Sequence, residues 1–197
     1  VYGGNEKIPV SEDDPVDHPI SLYAATKRSN ELMAHTYSHL YSLASTALRF
    51  FTVYGPYGRP DMAPMIFAKA IFTGTTIKIF NSGNMSRDFT FIDDIVCSIV
   101  KLIDIPASSN LAFNKNKPIP SSSWAPHRIY NLGNSKPISL MVFIKTLEKE
   151  IGIEAIKKFE EIQPGDVQNT YADTNLIELV SKTKVYTPLS KGIKQFI

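Results

Sequence analysis

The chain has 197 residues, of which 43% are hydrophobic and 20% are charged. This usage is ordinary for a globular protein, excludes an intrinsically disordered chain, and suffices for one core or for a core with a small lobe. The 21 Lys and Arg residues nearly balance the 19 Asp and Glu residues, giving a net charge of +2, and no basic block indicates a nucleic-acid or membrane surface.

Cysteine and histidine usage points away from disulfides and metals. Cys97 is the one cysteine, which rules out an internal disulfide and is typical of a reducing compartment, so we expect a cytoplasmic protein. The four histidines show no metal-ligand spacing, so we expect no metal and expect His18, His35 and His39 to be solvated or capping. We find neither an apolar run long enough to cross a membrane nor a signal peptide. A function that acts on small molecules fits this chain better than nucleic-acid or membrane binding.

The first third of the chain predicts a loop, a helix and a strand. Residues 3–20 are rich in Gly, Pro, Ser and acidic residues and predict a loop. Ser21 can cap a helix that runs to about Leu43. Residues 46–55 (TALRFFTVYG) are aromatic and β-branched without alternation, which predicts a buried parallel strand. Ligands gather at the carboxyl ends of such strands.

The middle of the chain predicts short elements. Residues 65–74 (MIFAKAIFTG) predict a helix closed by Gly74. Two short strands, TIKIF and RDFTFI, flank the turn at residues 81–84, and a helix follows over about 93–105. Residues 106–127 are rich in Pro, Ser and Asn and predict a mobile surface insertion.

The last third predicts a strand over residues 128–133 (RIYNLG) and a helix started by Ser139. Residues 159–173 predict an extended segment with a tight turn at Pro164-Gly165. A short helix from Asp173 then leads to the terminal TPLSKGIKQFI, in which another helix begins at Leu189-Ser190-Lys191.

Tyr23 and Lys27 form the first candidate site. Positions i and i+4 of a helix lie on one face, so both side chains can serve a common spot. A nearby ammonium group favours the phenolate form of a tyrosine, which suits base catalysis. The alternative is a chance pair on a solvated helix.

Five motifs, VYGGN, SLYAATK, LRFFTVYGPYGRPDMA, SRDFTFIDD and QPGDVQNTYAD, follow in one order. This order resembles the extended short-chain dehydrogenase/reductase family, and within it the nucleotide-sugar epimerases that act on UDP-glucuronate. The resemblance implies an α/β fold: an incomplete Rossmann-type doubly wound sheet with a small α+β substrate-binding lobe. It places residues 1–63 in the NAD-binding domain and 64–197 mainly in the nucleotide-sugar lobe, with 86–105 and 128–133 returning toward the first domain.

The resemblance also implies roles near the cofactor NAD. Tyr23 is then the catalytic acid/base, and Lys27 holds the nicotinamide ribose and favours the tyrosinate. Thr52 and Val53, at the end of the predicted strand, are implied as sugar and cofactor contacts. The alternative for Thr52 and Val53 is a place in an ordinary core.

For the UDP-sugar, the resemblance implies that Arg87 grips the pyrophosphate, Phe80 packs the uracil and Asp166 contacts the nucleotide ribose. Each residue has a plainer alternative. Arg87 can pair with Asp88 or Asp93, Phe80 can belong to the core, and Asp166 can make the turn.

Arg59 bears on the choice of sugar. A uronic acid carries a carboxylate where a hexose carries a neutral hydroxymethyl group, and a planar guanidinium suits a carboxylate. The motif GRPDMA resembles the uronate enzymes. The alternative is an exposed loop arginine that pairs with Asp61.

Some family features do not occur in this sequence. A Ser-rich strand before VYG and a glycine-rich turn opening a helix for the NAD pyrophosphate are missing. We therefore expect a chain that begins within a fold, corresponds to the C-terminal part of the enzyme and is inactive alone. The complete protein is expected to be a homodimer.

The implied function is NAD-dependent interconversion of UDP-glucuronate and UDP-galacturonate through a 4-keto sugar, for surface polysaccharide. Neighbouring activities on the same fold stay open: UDP-glucuronate decarboxylase, UDP-glucose 4-epimerase and nucleotide-sugar 4,6-dehydratase. An inert truncated or split-gene product is the alternative outside enzyme function. The upstream DNA would separate that alternative from the others.

Overall fold

The computed structural model describes residues 1–163, 166–182 and 186–197, as a mixed α/β chain whose longer strands pair in parallel. The helices are α1 Leu22–Tyr41, α2 Ala63–Thr73, α3 Ile92–Ile103, α4 Leu140–Ile151, α5 Asn175–Ser181 and α6 Leu189–Phe196. The strands are β1 Ser45–Phe50, β2 Thr52–Tyr54, β3 Thr76–Phe80, β4 Ser86–Arg87, β5 Phe89–Phe91, β6 His127–Leu132, β7 Ile138–Ser139 and β8 Ile156–Glu160. The predicted α/β class is confirmed.

Local signals place several helix ends. The hydroxyl of Ser21 accepts a hydrogen bond from the backbone N–H of Ala24 at 3.1 Å, which confirms the predicted cap of α1. Gly74 closes α2 in the left-handed conformation, with φ of 66°. Ser139 precedes α4, but its side chain makes no capping hydrogen bond.

The predicted strand 46–55 is divided at Phe51, where it changes partners. β1 pairs in parallel with β6, and β2 pairs in parallel with β5. The Phe51 N–H donates to the carbonyl of Leu132, and the next N–H donates to the carbonyl of Asp88. Parallel pairing is confirmed, but full burial is wrong: Phe50 is 51% exposed, because within the described ranges β1 has a partner strand on one edge only.

The strands that flank residues 81–84 pair with distant partners. β3 lies parallel to β8, β4 lies antiparallel to β7, and β5 lies beside β2. The larger core cluster forms where α2 and α4 pack over β3 and β5, and the rings of Phe89 and Phe143 stack at 4.1 Å within it. A smaller cluster joins α3, α5 and β6.

The predicted surface insertion, 106–127, is partly buried. Ser121, Ser122, Ser123 and Ala125 are each less than 9% exposed. His35 on α1 hydrogen-bonds Ser123 at 2.7 Å, and His39 accepts from the indole N–H of Trp124 at 3.1 Å. His35 is therefore half-buried, contrary to the expectation, because the insertion packs against α1, whereas His18 and His39 are exposed as expected.

Two further observations concern the whole described chain. Its helices include none with the length and apolar character needed to cross a bilayer. No group of three or more His, Cys, Asp or Glu residues in the described ranges is arranged to hold a metal ion. The predicted Pro164-Gly165 turn lies outside the described residues, and the two-part division of the chain stays a prediction.

Candidate active site

A cavity of about 680 Å³ opens between α1, β1 and residues 167–171. It brings together four of the predicted site residues: Tyr23, Lys27, Thr52 and Arg87. These residues lie on α1, β2 and β4, and the cavity is also lined by β1, so it lies where β1 ends and β2 begins. Clefts of this size are the usual places where proteins bind small molecules.

Tyr23 and Lys27 lie in the first turns of α1, just after the Ser21 cap. The ammonium of Lys27 is 5.3 Å from the ring centroid of Tyr23, so the two side chains are neighbours on one helix face. Tyr23 is 69% exposed, which leaves its hydroxyl accessible to a ligand. A molecule bound in the cavity can therefore approach both side chains.

Three hydrogen bonds hold the guanidinium of Arg87 in place beside the cavity. One terminal nitrogen donates to the carbonyls of Ser86 and Gln168 at 3.0 and 2.9 Å, and the other donates to Asp166 at 2.9 Å. Burial lowers the pKa of Arg87, and the carboxylate of Asp166 opposes that shift. Asp166, rather than Asp88 or Asp93, is the partner of Arg87, which makes the alternative pairing wrong.

Arg59 lies at a second cavity of about 350 Å³, which Val53 also lines. Its Nε donates to Asp61 at 3.1 Å and a terminal nitrogen donates to the other oxygen of the same carboxylate. The pair with Asp61 raises the pKa of Arg59. The structure thus shows Arg59 as an exposed arginine paired with Asp61, which is the contact of its plainer alternative.

Phe80 lies apart from these residues. It is half-buried at the end of β3 and packs against the larger core cluster. Neither of the two cavities described above is lined by it. Val53 packs against the smaller cluster as well as lining the second cavity, so both residues have the core contacts of their plainer alternative.

A buried polar network behind Tyr23 and Lys27 was missed by the sequence analysis. Arg49 donates to both carboxylate oxygens of Glu31, at 2.7 and 2.9 Å, and to the Tyr2 hydroxyl at 2.9 Å. Tyr2 in turn donates to the side chain of Asn131. The signal was present: Arg49 stands in an apolar strand, where a charge needs a partner.

Comparisons with known proteins bear on the family to which this chain belongs. Residues 1–114 match the family model described as "NAD dependent epimerase/dehydratase family". The chain is 51% identical over 197 residues to Protein CapI of Staphylococcus aureus and 47% identical over 198 residues to a probable UDP-glucuronate 4-epimerase of Rhizobium meliloti. Those matches cover all of this chain but only 59% and 58% of the relatives, so it spans little more than half their length.

Two solved structures are similar to this chain over nearly all of its length. The UDP-glucuronic acid 4-epimerase of Bacillus cereus, in complex with UDP-glucuronic acid and NAD, is 31% identical with a TM-score of 0.82. That similarity covers 98% of this chain and 56% of the Bacillus chain. MoeE5 in complex with the same two ligands is 27% identical with a TM-score of 0.81, over 99% of this chain and 60% of its own. Because the family model matches more than half of its residues, the chain belongs to the NAD dependent epimerase/dehydratase family.

Proposed function

We propose that this chain carries the acid/base and nucleotide-sugar-binding residues of an NAD-dependent 4-epimerase that interconverts UDP-glucuronate and UDP-galacturonate. The observation that carries the proposal is that Tyr23, Lys27 and Arg87 line one cavity. A proton-transfer pair and an anion-binding arginine are two of the components that such a reaction needs at one site, beside the cofactor that takes up the hydride. The names of the Rhizobium and Bacillus proteins support the choice of substrate.

The residues of this chain fit one part of the cofactor. Tyr23 and Lys27 are hydroxyl and ammonium donors on one helix face, which suits the ribose next to the nicotinamide. The glycine-rich turn that would seat the pyrophosphate does not occur in this sequence, so the chain supplies only part of an NAD site. When bound, NAD supplies hydride transfer at C4 of the sugar.

In the proposed reaction, Tyr23 moves the proton and Lys27 stabilises the charge. The phenolate of Tyr23 accepts the proton of the sugar 4-hydroxyl and later returns it. The ammonium of Lys27 favours the phenolate between the two transfers. Arg87 binds the pyrophosphate through charge-assisted hydrogen bonds, which hold the nucleotide while the 4-keto sugar turns over to present its other face.

Arg59 is proposed to bind the carboxylate at C6 of the sugar. The guanidinium of Arg59 donates to both carboxylate oxygens of Asp61, so its geometry also suits the carboxylate of a uronic acid. Asp61 would then compete with the sugar. Four further contacts are part of the proposal. The uracil packs on Phe80 and the nucleotide ribose contacts Asp166. The sugar contacts Thr52 and the cofactor contacts Val53.

The complete protein is proposed to be a homodimer that serves surface polysaccharide synthesis. α1 exposes an apolar stripe that supports self-association, formed by Leu32, Met33, Tyr37, Leu40 and Tyr41. Light scattering would check the oligomeric state.

The experiment has two stages. UDP-glucuronate is first titrated into the 197-residue chain by calorimetry, where we expect binding that Arg87→Ala weakens. This chain then replaces the matched segment of the Rhizobium relative, and the chimera is incubated with UDP-glucuronate and NAD. We expect UDP-galacturonate by chromatography, and none from the Tyr23→Phe chimera. Pentose product would favour a decarboxylase, and a folded chimera without product would favour the inert alternative.

A further inference from the structure

Asp88 is a fully buried carboxylate that joins three separate parts of the chain. It is 0% exposed and follows Arg87 directly. One oxygen accepts the backbone N–H of Asn134 at 2.7 Å, and the other accepts those of Ser135 and Ala172 at 3.0 and 3.1 Å. Each of those donors belongs to a segment that is distant from Asp88 in sequence.

The charge of Asp88 is stabilised by amides rather than by a cation. Within the described ranges none of the ion pairs involves this carboxylate. Burial raises the pKa of Asp88, while the N–H groups of Asn134, Ala172 and Ser135 oppose that shift. Desolvating a carboxylate without a cation is costly, so the position is explained by what the carboxylate holds in place.

The segment held by Asp88 forms one wall of the large cavity. We call residues 166–174 the strap. The carboxylate binds the strap at Ala172, and the backbone N–H of Asp88 donates to the Thr170 hydroxyl at 3.2 Å. The strap also pairs with β4, since Ser86 donates to Gln168 and accepts from Thr170. Four strap residues line the cavity: Val167, Asn169, Thr170 and Tyr171.

The strap in turn orients Arg87. Two of the three hydrogen bonds of that guanidinium go to the strap, to the carbonyl of Gln168 and the carboxylate of Asp166. The carbonyl of Asp88 also accepts from the N–H of Thr52, on the cavity floor. A loss of the Asp88 carboxylate would therefore reach Arg87 through the strap.

We propose that Asp88 is a positioning residue for the Arg87 anion site, fixing the strap against β4 and β5 without touching the UDP-sugar itself. The inference rests on the proposed function, in which Arg87 binds the pyrophosphate. Gly133 is part of the same arrangement: a Cβ there would lie 2.9 Å from Cβ of Ala172 and 3.1 Å from the Asp88 carboxylate. The chain can approach the carboxylate this closely only with glycine at that position.

The test compares Asp88→Asn, Arg87→Ala and the double variant in the 197-residue chain, with UDP as the probe. Asn keeps the shape but turns an NH2 group toward main-chain donors. We expect Asp88→Asn to weaken UDP binding about 10- to 100-fold, as misplacement of a binding group does. Because Asp88 acts through Arg87, the double variant should bind no more weakly than Arg87→Ala alone. Asp104→Asn, which changes an exposed carboxylate just after α3, should bind like the parent.

Two calorimetric outcomes would overturn the inference and leave the proposed function standing. One is UDP affinity of Asp88→Asn within twofold of the parent. The other is a double variant whose fold-loss of UDP affinity equals the product of the fold-losses in the two single variants. Independent residues give that result, because their effects add in free energy. If Asp88→Asn does not fold, the series is repeated with Gly133→Ala, whose added methyl group would crowd the same carboxylate.

Hydrogen exchange keeps the two proposals separate. If the parent chain does not bind UDP, the anion-site role of Arg87 fails, and exchange alone decides on Asp88. Faster exchange confined to residues 133–135 and 166–174 supports a positioning residue. Unchanged exchange there, or equally faster exchange throughout α1 and α4, overturns it.

Discussion

Arg49 and Glu31 form a two-point ion pair, at 2.7 and 2.9 Å, between β1 and the helix that carries Tyr23 and Lys27. Both residues are less than 9% exposed. Burial alone would raise the pKa of Glu31, but hydrogen bonds from Arg49 and Arg28 outweigh it and lower that pKa. The pair therefore fixes α1 on the strand, and with it the position of the proposed catalytic residues.

Glu31→Ala should strongly destabilise the chain, because it leaves Arg49 buried without a counter-charge. We expect the free energy of unfolding to fall by about 3–5 kcal/mol, measured by urea denaturation at pH 7.5. The double variant Glu31→Leu/Arg49→Leu should lose less, since no charge stays buried. Glu154→Ala, at an exposed position, is the control. A double variant as unstable as Glu31→Ala would contradict this account.

His127 should make the chain sensitive to acid. It is 2% exposed, and burial, aided by the charge of His35, lowers its pKa to about 4. A histidine in the unfolded chain has a pKa near 6.5, so the unfolded state binds the proton first as the pH falls. The contribution of neutral His127 to the free energy of unfolding is therefore fully present above about pH 6.5. Because of this histidine, the free energy of unfolding should fall by about 3 kcal/mol between pH 7 and pH 4.

Urea denaturation at both pH values checks this expectation in the parent and in His127→Gln. The variant should lose about 3 kcal/mol less than the parent over the same range, because its side chain does not titrate. His18→Gln, at an exposed histidine, should behave like the parent. An acid loss of equal size in His127→Gln would mean that other groups cause it.

Arg87→Ala should weaken UDP binding by about 2–3 kcal/mol, or about 30- to 150-fold, since a charge-assisted hydrogen-bond donor to the pyrophosphate is lost. Arg87→Lys should recover only part of the affinity, because an ammonium keeps the charge but not the fork. Isothermal titration calorimetry with UDP measures both. Lys78→Ala removes an exposed positive charge from β3 and serves as the control. Equal affinity in parent and Arg87→Ala would remove Arg87 from the site.

Arg59→Ala should change which product the chimera makes. A uronate oxidised at C4 is a β-keto acid, which loses CO2 when the C5–C6 bond stands perpendicular to the carbonyl plane. A two-point contact from Arg59 would hold the carboxylate out of that alignment. We expect slower epimerisation and a larger pentose fraction, resolved by chromatography of the nucleotide sugars. Parental rates without pentose would make Arg59 a loop residue that pairs with Asp61.

Local patterns predicted local structure well. Ser21 and Gly74 act through neighbours within a few residues, so their caps could be predicted from the sequence. The break at Phe51 could not, because its two partners, Asp88 and Leu132, come from distant strands. Neighbouring side chains of extended chain point to opposite sides, and the sequence does not say that Arg87 faces the cavity while Asp88 faces the interior.

The pairing of β1 with β6 also has a consequence for how the chain folds. Ser45 and its partner His127 are 82 residues apart. At a synthesis rate of about 5–20 residues per second, β1 leaves the ribosome roughly 4–16 s before β6. α1 needs only local contacts and can form in that interval, whereas β1 must wait with a free hydrogen-bonding edge. Closing so long a loop makes strand pairing the slow step, and a nascent chain paused before residue 127 is the species most exposed to chaperones and to self-association.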